Sequence, residues 1–423
     1  MLRTSITNIL AATALVFTTM PTAHAQEEMT LRLTTANSYM KPIYEQIASE
    51  FKEQHPNVRI EVDASVTSWE EQLQRTLRGG ITGDLPDISE QSYNLFHQVV
   101  DRGFAQPLTP FMNAAGNMAS LGYGPALINL GGYKGQSWGL PMRMSVPIMY
   151  FNADLIREAG GDPKNLPDSW GGLIALAAKI TKLKDGNMGM FYEYEADGAW
   201  LFLTLINLQG ARPMSDDDKT IAFDGPTGLR ALQILSDIGK SGMVDMPRSQ
   251  ARQAFSAGTI GFLVGSGSQI AKYQEQSKGR FELGTASLPP LGANPRLPVG
   301  GGLLLVNADR PEREKMAWEF VKYATGPSAQ TLLVKETGMM PANDIPGTRE
   351  DMLGKFYEEN PLHRPNLEQL PMVTDWFTFP GENSVKITDA IRERMRSVVT
   401  QAESPQDALK AMVRDVKELL PAN

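Results

Sequence analysis

The sequence contains no cysteine among its 423 residues and only four histidines. Without cysteine the chain can form no disulfide, thiol nucleophile, iron–sulfur cluster or Cys-based zinc site. The three histidines beyond the first 25 residues, His55, His97 and His363, are far apart, and none has a neighbour at a metal-ligand spacing such as H-x-x-x-H. The sequence therefore predicts neither a cofactor nor a metal site.

Basic residues are also in deficit, because 40 Lys and Arg stand against 48 Asp and Glu and give a net charge of −8. A general nucleic-acid binder needs a basic surface to meet phosphates, so we expect no nucleic-acid partner. Hydrophobic residues make up 42% and charged residues 21%, which is typical of a globular chain. The length favours two domains.

The chain has no apolar run long enough to span a bilayer. Residues 9–17 are apolar but cover only about half of the roughly 20 residues that a spanning helix needs. They follow Arg3 and precede Ala23-His24-Ala25, a small-residue pattern that signal peptidase recognises. We predict a signal peptide over residues 1–25, cleavage after Ala25 and a mature protein in the periplasm. A buried N-terminal helix is the alternative.

Alternating and helical apolar patterns follow each other along the first part of the mature chain. Residues 30–35 and 58–62 alternate like strands, and the segment between them has helical periodicity. Ser68 and Glu71 form a capping-box pattern for a second helix, which we expect Gly79-Gly80 to end. A third strand is predicted from residue 86. This β-α-β-α-β order favours an α/β fold with a parallel sheet covered by helices.

Motifs for catalysis are incomplete. Gly239-Lys240-Ser241 matches the end of a phosphate loop, but Ile234 stands where that motif needs glycine. Gly265-Ser266-Gly267 is too short for a nucleophile elbow. Glu193 and Glu195 have a spacing typical of a loop or an edge strand. A glycosidase pair remains possible because its carboxylates meet only in the fold. We predict no catalytic residue and no enzyme, with a secreted carbohydrate-active enzyme as the less favoured alternative.

Six segments in order resemble the extracellular solute-binding proteins of bacterial ABC importers, in the carbohydrate-binding group that includes maltose-binding protein. They are residues 43–57 (IYEQIASEFKEQHPN), 83–87 (GDLPD), 103–111 (GFAQPLTPF), 149–160 (MYFNADLIREAG), 169–179 (SWGGLIALAAK) and 318–341 (WEFVKYATGPSAQTLLVKETGMMP). Within the family, the resemblance extends to the members that bind glycerol 3-phosphate. It is carried there by Trp69-Glu70, residues 141–147 with Ser145, Gly300-Gly301, residues 356–361 and Ile391-Arg392.

The resemblance implies a two-lobed α/β fold with interwoven lobes, a hinge of crossover strands and a ligand cleft that closes by hinge bending. The predicted lobes are residues 26–141 with 302–355, and residues 142–301 with 356–423. Apolar strand patterns at residues 146–151 and 303–306 agree independently with the crossovers. The glycines at residues 300–302 suit either a hinge or a plain tight turn.

The function that the resemblance implies is that of a periplasmic binding protein. It would deliver a polyol phosphate, a glycerophosphodiester or a related sugar-like anion to the membrane permease subunits of an ABC importer. The alternative ligand is a neutral sugar or oligosaccharide. We expect the protein to act as a monomer.

Aromatic candidates for the ligand site are Trp69, Tyr93 and Trp200. Trp69 lies at the start of the Ser68-capped helix. The resemblance implies a ligand contact there, because the members that bind glycerol 3-phosphate have a ligand-touching tyrosine at this position. A role in the core is the alternative. Tyr93 follows the third strand, at the edge where open parallel sheets present ligand residues. The members that bind glycerol 3-phosphate have a carboxylate at the position of Tyr93. Trp200 resembles cleft aromatics of the family and is equally compatible with the core.

Polar candidates come from the crossovers. Ser145 lies at the first crossover. Arg143, two residues earlier, points to the same face if the segment is extended, and it can add a positive charge to the site. A solvated Arg143 side chain is the alternative. Ser266 and Ser268 lie in a turn that opens a helix, where N–H groups can hold an anion. Gly301 offers a backbone N–H at the second crossover.

Arg392 is predicted to supply the principal charge contact to an anionic ligand. On a predicted helix, Ile391 faces the protein core. The next residue, Arg392, therefore lies at the edge of the buried face of that helix. A guanidinium can hold two oxygens of a phosphate through parallel N–H donors. The alternative is a surface ion pair with Asp389 or Glu393.

Overall fold

The structure is a computed structural model that describes residues 28–421 together with Met1. Residues 2–25 of the predicted signal peptide, and its cleavage site, lie outside the described residues. The strands are β1 (Met29–Ala36), β2 (Val58–Val66), β3 (Ile88–Ser92), β4 (Gly132–Tyr133), β5 (Gln136–Ser137), β6 (Gly139–Ser145), β7 (Pro147–Asn152), β8 (Met188–Tyr192), β9 (Ile260–Ser266), β10 (Leu283–Ala286), β11 (Leu297–Pro298), β12 (Gly300–Val306) and β13 (Val373–Thr374).

The helices are α1 (Lys41–Gln54), α2 (Trp69–Thr82), α3 (Phe96–Asp101), α4 (Thr109–Ala115), α5 (Pro125–Asn129), α6 (Ala153–Glu158), α7 (Trp170–Thr181), α8 (Trp200–Asn207), α9 (Pro226–Lys240), α10 (Arg248–Ser256), α11 (Ile270–Ser277), α12 (Pro311–Ala324), α13 (Pro327–Thr337), α14 (Ile345–Thr348), α15 (Phe356–Glu359), α16 (Arg364–Glu368), α17 (Ser384–Val399) and α18 (Pro405–Leu419). Single-turn 3-10 helices at Asp197–Ala199 and Gly267–Gln269 border the site described below. Within residues 28–421, no helix is long and apolar enough to cross a membrane.

Two sheets organise the chain. The first has the strand order β2-β1-β3-β12-β6, in which β1 is parallel to β2 and β3, and β12 is antiparallel to β3 and β6. The β-α-β-α-β unit predicted from the sequence is confirmed as β1-α1-β2-α2-β3. The second sheet has the order β10-β7-β9-β8. Helices cover both sheets, which gives the two-lobed α/β architecture.

The two sheets meet at the ends of β6 and β7. Val146 alone separates Ser145, the last residue of β6, from Pro147, the first residue of β7. Ser145 pairs with Gly300 in the first sheet, and Pro147 pairs with Ser266 in the second. Side chains from both sheets therefore converge at this point. The predicted lobe boundaries stay a prediction. Residues 142–145, which the prediction assigns to the second lobe, lie in β6 of the first sheet, and Arg143 is therefore counted with the first lobe.

The hydrophobic core consists of two clusters of buried side chains. Leu31, Tyr44 and Phe320 belong to the cluster around the first sheet, and Phe202 and Ile387 belong to the larger cluster around the second. Each of these side chains is almost completely buried. Burying one large apolar side chain stabilises a fold by about 1.5–3 kcal/mol. The larger cluster also includes side chains of α2 and β12, so it extends from the second sheet onto the first.

Helix α2 positions one wall of the site. Its predicted capping box is confirmed, because the Ser68 hydroxyl accepts from the Glu71 N–H at 3.1 Å and the Glu71 carboxylate accepts from the Ser68 N–H at 3.3 Å. The predicted end at Gly79-Gly80 is wrong. The helix ends at Thr82, before Gly83 in the left-handed region. Gly80 serves packing instead, since a Cβ there would lie 2.4 Å from the Phe104 ring.

Candidate functional site

A cavity of about 90 Å³ lies where the two sheets meet. The ends of β6, β9 and β12 border it, and α2 and α10 reach it from the two lobes. Seven of the residues predicted for the ligand site line this cavity. They are Trp69, Arg143, Ser145, Trp200, Ser266, Ser268 and Gly301. Residues from five separate segments are thus brought to one place.

Two predicted site residues lie outside the cavity lining. Tyr93 is buried directly after β3, where its hydroxyl donates to the carbonyl oxygen of Arg143 at 3.0 Å and the residue lines the larger groove described below. Arg392 lies on α17, and its guanidinium pairs with Asp389. That ion pair is the alternative that the sequence left open. The structure therefore does not bring Tyr93 or Arg392 to the cavity.

Three serine hydroxyls join the two sheets at the cavity. The Ser266 Oγ lies 3.0 Å from the Ser145 Oγ and 2.9 Å from the Ser268 Oγ. The Ser268 N–H also donates to the Ser266 Oγ, at 3.2 Å. A hydroxyl can rotate to donate or to accept, so this cluster suits oxygen atoms of a ligand in either role.

Gly301 is the one conformation-specific position among these residues. Its φ is +114°, and a Cβ at this position would lie 2.1 Å from the carbonyl oxygen of Arg143. Only glycine fits such a close approach of two strands. The neighbouring Gly300 and Gly302 are also crowded, by Trp200 and Trp69. Close packing of the tryptophans against β12 thus requires the glycine triplet.

Arg143 forms a buried ion pair under the cavity. Its side chain is 1% exposed, and its Nε donates to Glu90 Oε1 at 2.5 Å. Its guanidinium carbon lies 4.3 Å from the centre of the Trp69 ring, which is a cation–π geometry. Burial lowers the pKa of Arg143, but the charge and hydrogen bond of Glu90, together with Tyr39 and Tyr44, raise the pKa above its ordinary value, so the guanidinium stays charged. Arg143 therefore supports Trp69 as well as bordering the cavity.

Two further arginines reach the cavity from α10. Arg252 forms a two-pronged pair with Glu193, with Nε to Oε1 at 2.6 Å and Nη2 to Oε2 at 2.7 Å. Arg248 has a looser partner, since its Nη2 lies 4.0 Å from Asp197 Oδ1. Arg248 is therefore the lining arginine whose guanidinium is least engaged by a carboxylate.

Tryptophan rings form the apolar side of the cavity. Trp200 and Trp376 lie 5.9 Å apart between ring centroids at 44° to each other. Their indole N–H groups are directed to carbonyl oxygens, Trp200 to Pro298 at 3.0 Å and Trp376 to Gly198 at 3.5 Å. With both N–H groups engaged in this way, the rings present apolar faces that suit the carbon skeleton of a polyol or sugar.

Several lining residues were not predicted as ligand contacts. They include Asn37, Tyr39, Glu193, Asp197, Arg248 and Arg252. Glu193 and Arg252 are 59 residues apart in the chain. No local pattern marks such a pair. Asp197 is the exception, because it lies only three residues before the predicted candidate Trp200.

Metal binding finds no support in this arrangement. Among the described residues there is no group of three or more His, Asp or Glu side chains that could hold a metal ion. The site instead offers hydroxyls, guanidinium groups and aromatic faces. These groups are suited to reversible binding of a small polar molecule.

The family model described as bacterial extracellular solute-binding protein matches residues 46–351, more than two thirds of the chain. The chain belongs to this family. A relative in sequence is the sn-glycerol-3-phosphate-binding periplasmic protein UgpB of Pectobacterium atrosepticum. It is 23% identical over 398 residues, which cover 88% of this chain and 87% of the relative.

Solved structures share the fold of this solute-binding protein. UgpB of Mycobacterium tuberculosis, in complex with glycerophosphocholine, has a TM-score of 0.82 at 17% identity and covers 92% of this chain and 98% of its own. Maltose-bound MalE3 of T. maritima has a TM-score of 0.79 at 19% identity and covers 93% and 100%. These likenesses establish the two-lobed fold of this solute-binding protein.

In this solute-binding protein a larger groove of about 1350 Å³ shares Trp376 with the cavity. Phe96, Tyr133, Phe377 and Phe379 are among the residues that line it. Trp376 therefore borders both spaces.

Proposed function

We propose that the protein binds a polyol phosphate, a glycerophosphodiester or a related sugar-like anion and delivers it to an ABC importer. The observation that carries this proposal is the meeting of three serine hydroxyls with Arg248 and Arg252 beside tryptophan faces. Hydroxyls and guanidinium groups are good donors to phosphate oxygens. The aromatic faces suit a carbon skeleton of glycerol size.

The relatives support this ligand class by what their names state. UgpB of Pectobacterium atrosepticum is named as a binding protein for sn-glycerol 3-phosphate. UgpB of Mycobacterium tuberculosis was crystallised with glycerophosphocholine, a phosphodiester. Both are consistent with a ligand that has a glycerol-sized body and a phosphate.

A neutral sugar or oligosaccharide is the second candidate. It is favoured by the carboxylate partners of the lining arginines, above all Glu90 for Arg143 and Glu193 for Arg252. These pairs balance much of the positive charge that an anion would need. Maltose-bound MalE3 has a similar fold. A secreted carbohydrate-active enzyme is the least favoured candidate, since the family consists of binding proteins.

The proposed setting is the periplasm. Cleavage after Ala25 would leave an exported monomer that binds its ligand, meets the permease subunits of an importer and needs no cofactor or nucleic acid. N-terminal sequencing of protein from its native host should give Gln26 as the first residue. Retention of residues 1–25 would contradict export.

Calorimetry with three probes tests the ligand class. We expect sn-glycerol 3-phosphate or glycerophosphocholine to bind at pH 7.5, with an affinity that falls as salt rises because charges contribute to the contact. Maltose should not bind. Binding of maltose alone, with no salt dependence, would replace the proposal with the neutral-sugar candidate. Recovery of each probe after incubation, analysed by mass spectrometry, should show no turnover.

A further inference from the structure

Helix α2 and the turn Asp197–Ala199 hold each other by two reciprocal hydrogen bonds. The Trp69 N–H donates to Asp197 Oδ2 at 3.3 Å, and the Gly198 N–H donates to Glu70 Oε1 at 3.1 Å. Helix α2 packs on the first sheet, whereas the turn connects β8 of the second sheet to α8. Both hydrogen bonds therefore cross the cleft between the lobes.

The turn is shaped to fit this contact closely. Gly198 has a φ of +60°, and a Cβ there would lie 2.6 Å from Asn94 Nδ2 and 2.8 Å from the Trp376 ring. Ala199 also has a left-handed φ, of +51°, which is unfavourable for a residue with a side chain. Such strain persists only where the surroundings fix the backbone. The contact is thus a specific feature of this arrangement of the two lobes.

Two carboxyl groups meet at this contact, one from each lobe. Burial, followed by the negative charge of Asp197, raises the pKa of Glu70 to about 7, although Arg392 of α17 opposes this shift. The other charged groups around the contact are Arg248, 4.0 Å from Asp197, and Asp389, which holds Arg392. Glu71 on the same helix faces away, toward the Thr67 N–H.

We propose that Glu70 and Asp197 form a clasp whose protonation controls closure of the cleft. With one carboxyl protonated, the reciprocal hydrogen bonds form without repulsion between two negative charges. When both are ionised, repulsion and the loss of solvation oppose the contact. Glu70 touches no ligand in this scheme, so it acts as a positioning residue. The clasp deepens the proposed function, and it depends on that function only for its effect on ligand affinity.

The sign of the pH effect follows from the two states of Glu70. When the lobes part, water reaches the carboxyl and its pKa returns toward its ordinary value of 4.5, whereas in the closed cleft the pKa is about 7. Closure therefore takes up a proton between these values. The closed population should fall as pH rises through this range, by at most about tenfold per pH unit for one proton.

The absence of cysteine allows a direct test on the full-length mature protein. Gln74→Cys on α2 and Glu393→Cys on α17 place two nitroxide labels at exposed positions on opposite sides of the clasp. Pulsed electron–electron double resonance then measures the distance between the two labels at a series of pH values between 5 and 8. The measurement is made without ligand and with glycerophosphocholine. A phosphodiester keeps its charge over this range, so only the protein titrates.

We expect the short-distance population to grow as pH falls. Glu70→Gln keeps an oxygen acceptor for the Gly198 N–H but carries no charge, so it should favour the short distance at every pH. Glu53→Gln, at an exposed position on α1, should keep the wild-type pH dependence. A distance that does not change with pH in the wild type, or an unchanged pH dependence in Glu70→Gln, would overturn the clasp. Failure of glycerophosphocholine to bind would instead count against the proposed ligand class.

Discussion

Two arginine–glutamate pairs stand on the two sides of the cleft and differ in exposure. In the first lobe, the Arg143 and Glu90 side chains are 1% and 0% exposed. In the second, Glu193 is 2% exposed but Arg252 is 20% exposed. Arg143 is covered by the ring of Trp69, whereas Arg252 has a face open to the cavity. From this difference we expect the Arg143 pair to matter for stability and the Arg252 pair to matter for ligand binding.

The difference has a physical cause in solvation. A guanidinium that is fully removed from water needs every one of its partners, and Arg143 has additional oxygens of Asn37, Tyr39 and Ala36 at 3.4–3.5 Å. A guanidinium with an open face retains N–H donors for a ligand. Substitutions on the two sides should therefore affect different measurements.

The largest expected effect is on stability in the first lobe. Arg143→Ala leaves the Glu90 carboxylate buried without its cation, which should cost about 3–5 kcal/mol of unfolding free energy. Urea denaturation followed by circular dichroism measures this change. The double variant Arg143→Met with Glu90→Gln should recover part of the loss because no unpaired charge remains. A loss below about 1 kcal/mol in Arg143→Ala would contradict the assigned role.

The next effect is on affinity in the second lobe. Arg252→Lys keeps a positive charge beside Glu193 but removes the planar pair of donors. We expect glycerophosphocholine affinity to fall by about 1.5–3 kcal/mol, with little change in the unfolding midpoint. Arg394→Lys is a matched control, since Arg394 pairs with Asp415 on the helices α17 and α18 away from the cavity. Equal effects in both variants would reject a ligand contact by Arg252.

A smaller effect is expected from the hydroxyl cluster that joins the two sides. Ser145→Ala removes one hydroxyl next to the Ser266 Oγ and should weaken binding by about 0.5–1.5 kcal/mol in calorimetry. Ser328→Ala, at an exposed position on α13, should leave the affinity unchanged. If Ser145→Ala binds as tightly as the wild type, the hydroxyl does not contact the ligand.

The smallest effect is expected at Arg392. Because its guanidinium pairs with Asp389 outside the cavity lining, Arg392→Ala should change ligand affinity at pH 8 by about 0–1 kcal/mol. The same variant removes a charge that lowers the pKa of Glu70. The pH at which the cleft closes should then move upward, which the nitroxide distances would detect. A large loss of affinity at pH 8 would restore Arg392 as a ligand contact.

Local patterns in the sequence were sufficient for the secondary structure that positions the site. The alternation at residues 58–62 and the Ser68–Glu71 capping box both appear in the structure. Each of these signals acts over a few residues, through side-chain direction or a capping hydrogen bond. The end of α2 was missed because the packing of Gly80 on Phe104 depends on distant contacts.

The order of segments along the chain also determined the fold class, because the resemblance to the family rests on many short segments in sequence order. Seven of the nine site residues predicted from the same resemblance line one cavity. Which charged side chains meet at the site was decided by tertiary structure alone. Trp69 and Asp197 are 128 residues apart, and only the strand order of the two sheets brings α2 against the turn after β8. A pairing of that kind depends on long-range packing, which leaves no periodic signal in either segment.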